Sequence, residues 1–429
     1  MSISVKKITF NKSTTTTGLP VSQAITGVGF QPKAALFFAT LQTAFGSIGN
    51  HMVVCLGMTD GTTDFATSVS SKDNVGTSVC KRRHADKALT IIDENGSLVA
   101  EADLSSWGAD GFTLSWTTNN NQAYKIHAVL LGGDDLTAAK VKTFAAGSGS
   151  QAVTGVGFRP SGGVFISDLD DSTPPANDNA ATYLFGVQGS ATSTEAMSIC
   201  CWSQDALDTT QTGMRLRMSN CIQGLSYKSS QIISNGLAYI SSWDSDGFTV
   251  NWTENPLSAY YVGALVLEGG SWKAKKEEQG RTNAGTQDYT GYGFQPRAVI
   301  MAGMFSGATI PDDIKTFSWL GLGAAAAQVG TPGSLDAEGA IRGADDNALG
   351  TANTVQDTRD NDCYIYGDTS TTYRGSLSSF DADGFTINWE SVFSNTDLHF
   401  WAFAIGDGSS FVQRRPAGGS SQRSGATQR

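Results

Sequence analysis

Asp246-Gly247-Phe248-Thr249-Val250-Asn251-Trp252 decides the fold. Phe248, Val250 and Trp252 alternate with polar residues, which is the period of a half-buried antiparallel strand. The Asp-Gly ahead of them carries the positive-φ turn chemistry of a hairpin. The same pattern stands at Asp110-Gly111-Phe112-Thr113, followed by Leu114 and Trp116, and at Asp383-Gly384-Phe385-Thr386, followed by Ile387 and Trp389. The spacings, 110 to 246 to 383, are 136 and 137 residues. That length suits a whole small domain rather than a solenoid unit.

A second motif keeps the same order. Val28-Gly29-Phe30-Gln31-Pro32 recurs as Val156-Gly157-Phe158-Arg159-Pro160 and as Tyr292-Gly293-Phe294-Gln295-Pro296. The chain therefore divides into three related units, 1–136, 137–270 and 271–408, and a terminal arm, 409–429. Each unit opens with a short strand (5–10, 140–144, 272–276), the third being the most charged. A polar connection rich in Gly, Ser and Thr follows, and then the proline step and an apolar strand (34–39, 163–166, 298–302). Proline lacks the donor that a ladder interior needs, so it fits a strand's first position. Further strands are expected at 52–57, 183–186 and 317–321, and at 65–69, 196–202 and 339–342. The last strand of each unit (126–131, 262–267, 400–405) is almost wholly apolar and should lie in the middle of its sheet. The unit is expected to be all-β: two antiparallel sheets facing each other in a jelly-roll-like sandwich, with the three tryptophans in equivalent cores. A closed barrel is the alternative. Whether the three units pack as a pseudo-trimer or as beads in a row is left open.

Composition narrows the function. The chain has 429 residues, 49 glycines and a net charge of −11, so its body is not a nucleic-acid binder. Met1-Ser2-Ile3-Ser4-Val5-Lys6-Lys7 contains no apolar signal region, and no apolar run is long enough for a membrane helix. The six cysteines do not match across the units, which points to reduced thiols and synthesis in a cytoplasm.

Catalytic signatures are missing. The histidines are His51, His84, His127 and His399, and none belongs to a His-x-x-x-His pair. There is no Cys-x-x-Cys, no Gly-x-Ser-x-Gly and no phosphate loop of the Gly-Lys-Ser/Thr kind. Gly-Val-Gly-Phe precedes a strand, not a helix, so nucleotide binding is not expected. The pairs Asp134-Asp135, Asp170-Asp171, Asp312-Asp313 and Asp345-Asp346 read as exposed acidic turns. Asp168, Asp170, Asp171, Asp178 and Asn179 form the densest set of hard oxygen donors, without the spacing of a calcium loop. Lys81-Arg82-Arg83-His84 reads as a solvated basic loop, absent from the other units. No catalytic residue, cofactor or metal ligand is assigned.

The arm is rich in Ser, Gly and Gln and carries Arg414, Arg415, Arg423 and Arg429 without an acidic residue. Such a composition cannot build a core. Its four arginines are the candidate partner-binding residues, as a strap on an acidic neighbouring surface.

The Gly-x-Gly-Phe-x-Pro step and the Asp-Gly-Phe-Thr-x-x-Trp hairpin together resemble a β-sandwich repeat of virion structural proteins of tailed bacteriophages. The likeness spans everything before the arm. It implies a non-enzymatic structural protein located in the virion, most readily a capsid decoration protein bound to the major capsid protein or other virion proteins. A tail-fibre or receptor-binding adhesin that holds a surface glycan is the alternative. The resemblance supplies no catalytic residues; from the charge and the lack of a long apolar run, no nucleic-acid partner and no membrane are expected.

Overall fold

The computed structural model describes residues 2–174, 176–280, 282–305, 313–331, 333–392 and 398–408. The chain is all-β, built from antiparallel sheets. In the first repeat the large sheet runs, edge to edge, Ile3–Asn11, Lys125–Gly133, Pro32–Ala39, Met52–Thr59, Asp64–Ser71 and Cys80–Ala85. Facing it is a small sheet in the order Val21–Thr26, Gly111–Thr118, Leu98–Gly108 and Leu89–Ile92. The second and third repeats reproduce both orders strand for strand.

The apolar last strand is central, between the opening strand and the proline-led strand. Its two faces serve different cores. Ile126, Ala128 and Leu130 pack with Phe37, Phe112, Leu114 and Trp116 inside the sandwich. Val129 and Leu131 point the other way, with Leu36 and Phe38, into a core shared by all three repeats. Ile166, Tyr183 and Phe185 of the second repeat enter the same core, as do Ile300, Leu322, Trp401 and Phe403 of the third. The large sheets are therefore covered on both sides, which is why their strands read as continuous apolar runs. The repeats are not beads in a row: three sandwiches close around one common interior.

Trp116, Trp252 and Trp389 are buried in the sandwich cores, as their period predicts. Each indole N–H finds an acceptor: Gln23 Oε1 at 2.8 Å, Gln151 Oε1 at 2.8 Å and the Tyr289 hydroxyl at 3.1 Å. The polar connections of the sequence contain strands, Val21–Thr26, Ser150–Thr154 and Gly285–Thr290. They are edge strands that bury mainly Ile25, Val153 and Tyr289, so they carry little apolar signal. The charged opening of the third repeat is a full strand, Ser271–Gln279, with Trp272 and Ala274 in the shared core.

The two repeated motifs are one device. Gly27 and Gly29 have φ of 86° and 84° and turn their N–H groups onto the Asp110 carboxylate at 3.1 and 2.5 Å. Asp246 accepts from Gly155 and Gly157 at 3.0 and 2.7 Å, and Asp383 from Gly291 and Gly293 at 3.0 and 2.5 Å. Successive N–H groups of this kind make an anion-binding concavity. Its anion is the carboxylate of the hairpin. The hairpin turn itself is Ala109-Asp110, and Gly111 opens the returning strand, where a Cβ would lie 1.9 Å from the Ile25 carbonyl oxygen. Glycine is required there by the close approach of the neighbouring strand.

Candidate functional site

Each repeat reaches from the segment after its proline-led strand to the outer edge of the repeat before it, and the third closes onto the second, the first onto the third. Ala176–Asn179 of the second repeat pairs with Lys81 to His84 on Cys80–Ala85. Gly49–Asn50 of the first pairs with Val355 and Gln356 on Thr354–Arg359. Lys315 of the third exchanges backbone hydrogen bonds of 3.0 and 2.8 Å with Met214 on Thr212–Arg217. Open sheet edges are sites of unwanted pairing, and this ring of exchanges covers the outer edge of each large sheet.

Two further sets of contacts follow the same cycle. Asp205 accepts the Cys80 N–H at 2.8 Å, Asn347 that of Thr212 at 2.8 Å, and Asp73 that of Thr354 at 3.0 Å. Lys140 pairs with Asp60 at 3.3 Å, Lys273 with Glu195 at 2.5 Å and Lys6 with Asp336 at 2.5 Å. The lysines are partly exposed, so each pair contributes at most about 1 kcal/mol and serves mainly to set the fit.

The seam between the first and second repeats is rich in charged side chains. Lys81-Arg82-Arg83-His84 is not a solvated loop but part of the edge strand Cys80–Ala85, and Arg82, Arg83 and His84 are buried. The run reads as a basic loop because its partners lie far away in sequence. Arg83 donates to Glu101 through Nε at 2.9 Å and Nη2 at 2.5 Å. Arg82 holds Asp178 through Nη2, and its Nε lies 3.5 Å from Asp170 Oδ2. His84 Nδ1 lies 2.9 and 3.0 Å from the two Asp168 oxygens. His84 Nε2 faces the Ser172 carbonyl oxygen at 3.1 Å, an atom that only accepts, so Nε2 carries a proton. Burial alone would lower the His84 pKa, but the hydrogen bond and charge of Asp168, with the charge of Asp170, outweigh it and raise it.

The set of oxygen donors is thus divided. Asp168 and Asp170 are buried against His84 and Arg82, Asp178 serves Arg82, Asn179 takes Lys81 at 2.6 Å, and Asp171 is exposed. No calcium cage assembles from them. What does assemble is His84, Asp168 and Asp170, whose ligand atoms lie within 4.8 Å of one another. The sequence hid this trio because its members are 84 and 86 residues apart in different repeats (168 − 84, 170 − 84).

Two of the four acidic pairs depart from the exposed-turn reading. Asp170 is 1% exposed, and Asp345 is buried beside Ser71 and Ser203 of the other two repeats. Asp345 occupies the ladder position of Ser71 and Ser203. Neither of its oxygens accepts a hydrogen bond within normal geometry from the described residues, and burial pushes its pKa up to about 7 against the lowering effect of the nearby Ser203 and Ser71 hydroxyls. Asp134 is exposed, Asp135 partly so; Asp312 lies outside the described residues and Asp313 is exposed.

At the seam of the first and third repeats, His127 Nδ1 lies 2.9 Å from Thr9 Oγ1 and its Nε2 2.8 Å from Thr358 Oγ1. Lys7 donates to the Glu338 carbonyl oxygen at 2.5 Å, and burial lowers its pKa to about 8. All six cysteines are free and buried. Contrary to the sequence reading, two of them correspond. The carbonyl oxygens of Ala88, Cys221 and Cys363 lie 2.1, 1.8 and 2.0 Å from where a Cβ would stand on the equivalent glycines Gly57, Gly186 and Gly323. Unequal segment lengths before these positions concealed the match. Arg414, Arg415, Arg423 and Arg429 lie outside the described residues.

No helix among the described residues is long and apolar enough to cross a membrane. Compared with protein-family models, curated proteins and solved structures, the chain finds no match.

Proposed function

We propose that this chain is a non-enzymatic virion structural protein that decorates an assembled capsid, seated on a threefold or quasi-threefold position of the shell. The observation that carries the reading is the closed cycle of seams: one chain presents three near-equivalent outer sandwiches in fixed relation, as a C3 trimer would. Three linked contacts on a lattice raise the effective concentration of each, so modest faces give firm attachment. The partner is the major capsid protein or another virion protein. The groups that would suggest catalysis serve the seams instead: His84 and His127 are held between repeats and the thiols are buried, with burial raising the pKa of Cys55 to about 12.

The test is the copy number of the chain in purified particles by quantitative mass spectrometry. Hundreds per particle support decoration, whereas about three to twelve would place it on a tail or vertex and defeat the reading. Deleting 409–429 tests the strap formed by Arg414, Arg415, Arg423 and Arg429, and unchanged occupancy would remove it. For the adhesin alternative, no aromatic side chain among the described residues is more than partly exposed, which leaves little surface for stacking a sugar. Binding on a glycan array would favour that alternative.

A further inference from the structure

From the geometry of the first seam we infer that His84, Asp168 and Asp170 form a binding site for one divalent transition-metal ion of the zinc class, which ties the second repeat to the first. Two independent features point to a cation. Oδ2 of Asp170, on a side chain only 1% exposed, accepts no hydrogen bond from the described residues and faces the Arg82 Nε, 3.5 Å away and beyond hydrogen-bond geometry. His84 is also already arranged as a ligand, because its Nε2–H is directed at the Ser172 carbonyl oxygen while Nδ1 is turned to the Asp168 carboxylate. That outer hydrogen bond is the usual device for fixing the ring of a metal-bound histidine.

Distances and donor types agree. Bonds of about 2.1 Å to a tetrahedral ion place ligand atoms about 3.4 Å apart. Here Nδ1 stands 2.9 Å from an Asp168 oxygen, and the three ligand atoms lie within 4.8 Å of one another. A small inward movement of Asp170 completes the set, with water in the fourth position. One imidazole and two carboxylates suit zinc, cobalt or nickel better than calcium, which prefers six or more oxygens. The charge count also fits. Asp168, Asp170 and Asp178 against Arg82 leave two negative charges when His84 is neutral, which a divalent ion cancels. The ion takes the place of the proton on Nδ1, which leaves to solvent. Ser172 lies on an exposed loop beside the site and gives a way in. The site is confined to this seam, because Leu216 and Thr358 hold the ladder position of His84 in the other repeats.

The full chain, stripped with chelator, is dialysed against Zn²⁺ or Co²⁺, and bound metal is measured by elemental mass spectrometry. The expected result is one ion per chain, a chelator-reversible rise in Tm, and at least tenfold weaker uptake in Asp170→Asn and His84→Gln, with His51→Gln unchanged. Wild-type protein that takes up no metal, or uptake undiminished in a folded Asp170→Asn, overturns the inference. Should both variants misfold, anomalous diffraction from wild-type crystals soaked in Zn²⁺ decides. A peak between His84 Nδ1, Asp168 and Asp170 supports the site, and a peak elsewhere or none refutes it.

Discussion

Asp246 shows how much one residue can fix. Its carboxylate closes the turn of one motif and fills the N–H cradle of the other, so the two motifs must travel together. Hydrogen bonds from Gly157 and Gly155 lower its pKa, as they do for Asp110 and Asp383 in their own repeats. A depressed carboxylate contributes stability above its unfolded pKa and loses it as pH falls through the folded value. Asp246→Asn should therefore lower Tm at pH 7, and the gap from wild type should close as pH drops below the carboxylate range, in paired thermal melts. Asp345 has the opposite sign. Its folded pKa, raised to about 7 by burial, exceeds that of an unfolded aspartate near about 4, so stability falls as pH rises through this window. Asn stays neutral, so Asp345→Asn should raise Tm more at pH 8 than at pH 5, measured by calorimetry. A gain independent of pH would show that the carboxyl is not the cause. The sequence made Asp246 legible because its motif recurs. Asp345 looked like an ordinary acidic turn because its burial comes from other repeats.

At the scale of elements, the strands with strong apolar faces were legible and the edges were not. Phe248, Val250 and Trp252 announce their strand, and Trp252→Ala should cost about 3–5 kcal/mol in chemical denaturation. Ser150–Thr154 beside it buries little more than Val153 and reads as a connection. Cys80–Ala85 was hidden for a different reason. Arg82, Arg83 and His84 are stable inside only when each meets a counter-group, and those groups come from elsewhere: Glu101 from the same repeat, Asp168, Asp170 and Asp178 from the next. Removing one partner leaves a buried charge alone, so Glu101→Ala should destabilise by about 3–5 kcal/mol. A loss below about 1 kcal/mol would place Arg83 in water instead.

For the whole molecule, the decisive feature is the common interior. An isolated second repeat, 137–270, would expose Ile166, Tyr183, Phe185, Ile199 and Leu265, all buried in the shared core. It should aggregate or bind dye as an expanded state, while the full chain melts in a single cooperative transition by calorimetry. Three separate transitions would mean that the repeats are thermodynamically independent. The amino-acid sequence by itself determined the β-sandwich, its threefold repetition and the inward indoles, because period-two alternation and turn chemistry are local and each copy restates them. Only the tertiary structure decided that the sandwiches close into a ring, that a basic run becomes a buried strand, and that His84 meets Asp168 and Asp170. Those pairings join residues from different repeats, and the free energy of burying a charge or an apolar face depends on what lies against it rather than on its neighbours along the chain.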